Sequence, residues 1–140
     1  MRKTVFVLTG IAFIAALARE PGWPYLRMAF ASSACYTEHD KQSYDYYTPE
    51  LLKKTPRISE HYHFEFGRIT GTEAEVFTVK FYGVAETQRI RNYLKSQGYE
   101  SQTSCDVEAE CWESLASDDK VTVGNIHSQK GVFVQIYRPL

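Results

Sequence analysis

The sequence predicts an α+β domain: a small antiparallel sheet of about four strands, arranged as two hairpins and covered on one face by a central helix. Three observations carry that prediction. Residues 60–68 and 74–82 each alternate in character, with Thr70-Gly71-Thr72 between them. A stripe of Ile90, Tyr93, Leu94 and Gln97 marks a helix over residues 85–97. A second alternating pair, 120–124 and 132–138, closes the chain. Strands joined by short turns pair antiparallel, and an amphipathic helix buries its stripe on their apolar side.

The elements follow in order. Arg2 and Lys3 precede an uncharged, mostly apolar run over residues 5–18, which ends in Ala16-Leu17-Ala18. That is the three-part pattern of a secretory signal peptide. The run would be about 21 Å long as a helix, short of the ~30 Å hydrocarbon core. The competing readings are an uncleaved anchor or a buried strand and helix opening an α/β unit, although no G-x-G-x-x-G follows. The domain plan is therefore a signal peptide at 1–18, an irregular Tyr-rich arm at 19–47 and a single α+β domain at 48–140.

The arm mixes Pro21, Gly22 and Pro24 with Tyr36, Tyr44, Tyr46 and Tyr47. A brief helix should follow, with Thr48 as its cap, Pro49 in the first turn and Pro56 beyond its end. In the first hairpin, Tyr62, Phe64 and Phe66 face the side opposite His61, His63 and Glu65. Phe77, Val79 and Phe81 supply the matching inner face. Gly98 is placed to stop the central helix in a left-handed turn. In the last hairpin, Val132, Val134 and Ile136 point inward.

Residues 105–117 are ambiguous. Val107, Ala109 and Cys111 alternate as in a strand, while Val107, Cys111 and Leu115 recur as in a helix. The Glu and Ala content tips the reading toward helix.

Composition bounds function. A chain of 140 residues is a prior for one domain, and 44% apolar with 24% charged residues is ordinary for a globular protein. The formal net charge of −1 points to neither nucleic acid nor an anionic membrane as partner. An export signal places the chain in the periplasm or cell envelope, where disulfides persist. Three cysteines then imply one bond and one thiol left over. The favoured bond is Cys105–Cys111, stapling a short acidic loop. It fails inside one continuous helix, where six positions span about 9 Å. Cys35 paired with either one is the alternative. Cys35 also follows Ser32-Ser33-Ala34, a partial lipobox, so lipidation there would tether the protein.

Two constellations compete for function. From Ser96 to Asp119 no Lys or Arg occurs, whereas Asp106, Glu108, Glu110 and Glu113 surround Trp112. An acidic surface with a central aromatic suits a basic protein partner. The bland account is a hydrated face with Trp112 turned inward. His61, His63 and Glu65 share one strand face and could ligate a metal. The bland account there is the wet side of an amphipathic strand. A cysteine nucleophile would need His39, His61, His63 or His127 beside its thiol, and no family signature surrounds any cysteine. No phosphate loop, serine elbow, C-x-x-C or calcium loop is present, so no cofactor is implied.

The sequence reading is thus an exported small binding protein without enzymatic motifs. It would be of inhibitor or immunity type and would use its acidic face on a basic protein. The alternatives are a metal-binding protein or metal-dependent hydrolase at His61, His63 and Glu65, and a lipid-anchored structural envelope protein through Cys35.

Overall fold

The computed structural model describes residues 28–71, 73–103, 105 and 109–140. The predicted signal peptide and the first part of the arm lie outside them. The chain divides into two compact units, Met1–Ala31 and Ser32–Leu140. In the first, the described residues are helical at 28–30, and the Ala31 N–H donates to the Met28 carbonyl at 3.2 Å.

The second unit is a seven-stranded antiparallel sheet with three short helices. In chain order it contains β1 (Ser33–Tyr36), α1 (Lys41–Tyr47), α2 (Glu50–Lys53), β2 (His61–Ile69), β3 (Ala74–Tyr82), α3 (Gln88–Ser96), β4 (Glu100–Ser101), β5 (Glu110–Ser114), β6 (Ser117–Asn125) and β7 (Gly131–Pro139). The spatial order is β1-β2-β3-β7-β6-β5-β4. This corrects the expected four-stranded sheet under a central helix. The expected hairpins are β2–β3 and β6–β7, and they join through the β3–β7 pair. Three strands that the sequence reading did not assign extend both edges.

Register explains the core. Phe66, Phe77, Ile136, Val121 and Trp112 stand opposite one another in one row across five strands. Phe64, Val79, Val134 and Val123 make the next row. All nine are buried on the same face of the sheet. Aromatic side chains of α1 cap that face: the Tyr47 ring stacks on Phe66 at 4.6 Å and Tyr44 meets Phe64 edge-on at 5.3 Å. Helix α3 buries Ile90 and Leu94 completely. It is tied to α2 by Tyr93 Oη donating to the Leu51 carbonyl at 2.6 Å. It is one of three small covering elements, with nine residues. Gly98 takes the left-handed φ of 86° that ends it.

Three local expectations change. Residues 110–114 form a strand, not a helix, because Trp112 completes a core row opposite Val121 while Cys111 and Glu113 face the other way. Part of the irregular arm is ordered as β1 and α1, since Ala34 and Tyr36 extend the Phe66 and Phe64 rows onto a further strand. Thr48 does not cap the brief helix: its hydroxyl is paired with Tyr36 Oη at 2.8 Å, and Pro49 holds the cap position.

Candidate functional site

The face opposite the core carries the polar side chains of β1, β2 and β3. Cys35 stands directly across from Glu65, and His63 directly across from Lys80. Directly opposed residues on one face approach to within contact distance. Sγ of Cys35, a ring nitrogen of His63 and a carboxylate oxygen of Glu65 accordingly lie within 4.8 Å of one another.

Each member is held by a neighbour. His63 Nε2 lies 3.1 Å from Glu65 Oε1. Lys80 Nζ lies 3.0 Å from the other oxygen, Oε2. The His63 imidazole stacks on the Tyr82 ring at 5.5 Å between centroids. Partial burial pushes the Glu65 carboxyl upward, but the hydrogen bonds from Lys80 and His63 outweigh it and hold the group below its ordinary range. Cys35 is exposed and forms no disulfide.

The predicted trio of His61, His63 and Glu65 is only partly brought together. Alternate residues on a strand repeat at about 6.6 Å, so His61 and Glu65 are separated by roughly 13 Å along it. One ion does not bridge that span. Cys35 takes the place expected of His61 because it comes from the adjacent strand. Sequence reasoning missed this because β1 is four residues long and reads SACY. The available signal was the alternation of Ala34 and Tyr36 around Cys35.

His61 instead lines a cleft of about 350 Å³ with His39, His63, Glu60 and the Tyr82 ring. The neighbouring Glu38 is occupied structurally: Tyr62 Oη donates to its Oε1, and Arg57 Nη2 lies 3.4 Å from its Oε2. The Tyr62 hydrogen bond first, and Arg57 next, overcome burial and lower the Glu38 carboxyl. This network fixes the turn that carries His39.

The acidic segment is not one surface among the described residues. Trp112 is 2% exposed and belongs to the core. Glu110 shares its face, and its Oε1 lies 2.7 Å from Arg91 Nη2 of α3. Glu113 is exposed on the opposite face, across from Lys120. Arg91 Nε, Glu110 Oε2 and Trp112 Nε1 are buried without a hydrogen-bond partner among the described residues. Asp106 and Glu108 lie outside them.

Cys105 and Cys111 form a disulfide, with Cα atoms 6.0 Å apart. Cys35 is the third residue of β1, and acylation at a new N-terminus there would cut Ser33 and Ala34 out of their pairing with Gly67 and Phe66. Among the described residues no helix is long and apolar enough to cross a membrane.

The arrangement offers a thiolate sulfur, an imidazole nitrogen and a carboxylate oxygen, the donor types that zinc and similar ions take. A thiol nucleophile would also need convergent N–H donors for an oxyanion, and successive N–H groups of a regular strand point to opposite sides. Ligation is the chemistry this flat face favours. No family model, curated protein or solved structure matches the chain, so the residues themselves carry the functional argument.

Proposed function

We propose that this is a small exported metal-binding protein that holds one zinc-like divalent ion through Cys35, His63 and Glu65. The observation that carries the reading is the mutual approach of the three donor atoms within 4.8 Å. The 3.1 Å separation of His63 Nε2 and Glu65 Oε1 fits it. Two bonds of about 2.05 Å span that distance at an angle near 100°, close to the tetrahedral value. Lys80 on the second carboxylate oxygen and Tyr82 behind the imidazole are the supports that orient ligands in metal sites. Three protein ligands leave a fourth position for water or another small donor. Only thiolate, neutral imidazole and carboxylate bind, so affinity rises with pH as those forms appear.

The competing account is a half-buried surface ion-pair row of His63, Glu65 and Lys80, worth about 0–1 kcal/mol of stability and binding nothing. Elemental analysis of chain purified without chelator or affinity tag separates the two. The expected result is one transition-metal ion per chain, lost in Cys35→Ser and in His63→Ala. Wild-type protein free of stoichiometric metal, or a Cys35→Ser variant that keeps it, overturns the reading.

A further inference from the structure

His39 and His61 stand outside the Cys35 trio, yet both line the cleft that His63 also lines. Three of the chain's four histidines therefore meet at one cleft, with the exposed carboxylate of Glu60 beside them. The fold holds both outer histidines in place through the backbone. The N–H of His61 donates to Ser59 Oγ at 3.2 Å. His39 sits in a turn closed by the Thr37 N–H on Asp40 Oδ2 at 3.0 Å and by the Asp40 N–H on the Thr37 carbonyl at 3.1 Å. Neither imidazole makes a hydrogen bond or an ion pair among the described residues. Both rings are exposed.

We infer that the cleft is a capture site for the ion: His39 and His61 bind a hydrated divalent transition metal first, and His63, shared by cleft and trio, passes it to Cys35 and Glu65. The inference rests on the trio being the resting site. Two neutral imidazoles on an open surface bind such an ion weakly and exchange it quickly. A thiolate and a carboxylate add two negative charges and a softer donor, so transfer toward Cys35 runs downhill. His61 and His63 are one strand repeat apart, about 6.6 Å, a step that rotation of two side chains bridges. Glu60 raises the local concentration of cations at the mouth. Capture residues of this kind alter how fast the site fills and leave how tightly it holds unchanged.

The test uses the full chain and cobalt(II) chloride alone. Stopped-flow absorbance of the thiolate-to-cobalt charge-transfer band follows arrival at Cys35, and equilibrium titration gives affinity and stoichiometry. In the His39→Ala/His61→Ala variant the loading rate should fall about tenfold or more, the lower end of the 10–10³ range that electrostatic and local-concentration effects span. Affinity and the one-to-one stoichiometry at Cys35 should be kept. An unchanged rate overturns the capture role. A lost charge-transfer band or reduced affinity in the variant also overturns it, because His39 or His61 would then be a ligand of the resting ion. Wild-type protein that never develops the band fails the trio itself, and the capture reading falls with it.

Discussion

Replacing Trp112 with Ala tests whether the acidic segment is a core strand or a binding surface. Trp112 is 2% exposed. A buried indole removes on the order of 200 Å² from water, or about 5 kcal/mol at 25 cal/mol/Å². The retained Cβ and partial collapse of the cavity bring measured truncations of this kind to about 3–5 kcal/mol. One effect opposes the loss: Trp112 Nε1 is buried without a hydrogen-bond partner among the described residues, and deleting such a donor returns about 1 kcal/mol. Burial wins, and the expected net destabilisation is about 2–4 kcal/mol. In urea, with a slope of about 2 kcal/mol/M, the midpoint should fall by roughly 1–2 M. Trp112→Phe keeps an aromatic ring in the core at a smaller volume and loses the orphaned N–H, so it should cost less than Trp112→Ala. A Trp112→Ala midpoint within about 0.3 M of wild type would refute the buried assignment, since that is below 1 kcal/mol. Loss of a protein partner without loss of stability would restore the surface reading.

Other perturbations follow from the same structure. Removing the Cys105–Cys111 bond releases a loop with a sequence separation of six. Chain-entropy reasoning puts that at about 2.3 kcal/mol, read as a lower thermal midpoint in the double Ser variant and no reductant effect on that variant. Gly131→Ala sets a Cβ 2.8 Å from the Phe81 carbonyl oxygen and 2.7 Å from Ile126 Cδ1. The backbone oxygen is fixed by the β3–β7 ladder, so a loss of about 1–3 kcal/mol is expected by chemical denaturation. Burial pushes the Tyr36 hydroxyl up to about 12, against the hydrogen bond to Thr48 that lowers it. The unfolded chain then releases this proton near pH 10 and the folded chain does not. Stability from this group is complete below pH 10 and declines as pH rises toward 12, and Tyr36→Phe should flatten that decline. Ultraviolet titration that shows Tyr36 ionising near pH 10 would refute it.

The alternating segments made the centre of the fold legible and left its edges hidden. Phe64, Phe66, Phe77, Val79, Val134 and Ile136 announce period-two burial over long strands, and long patterns are hard to mistake. β1, β4 and β5 have four, two and five residues, too few for periodicity to separate strand from helix. Trp112 shows the difficulty. Its Glu neighbours favour helix locally, and the pairing of β5 with β6 overrides that preference. The candidate site was half legible for the same reason. His63 and Glu65 are neighbours on one strand, so spacing placed them on one face. Cys35 is 28 positions before His63 in the chain and joins it only through a strand pairing that no local pattern specifies.

That pairing links the site to the core. Tyr36 is buried, stacked on Phe64 at 5.8 Å and on Tyr47 at 5.7 Å. Ala34 stands opposite Phe66 on the same inner side. Successive strand residues face opposite ways, so inward Ala34 and Tyr36 force Cys35 outward. A slip of one residue would bury the thiol and expose the tyrosine, and the loss of a stacked aromatic opposes it. The register that satisfies the core is therefore the one that sets Cys35 across from Glu65. His63 and Lys80 are positioned in the same way by Phe64, Val79 and Phe81. The donor array is a consequence of which residues the core claims, and a change at Tyr36 should disturb the Cys35 site although Tyr36 lies on the other face.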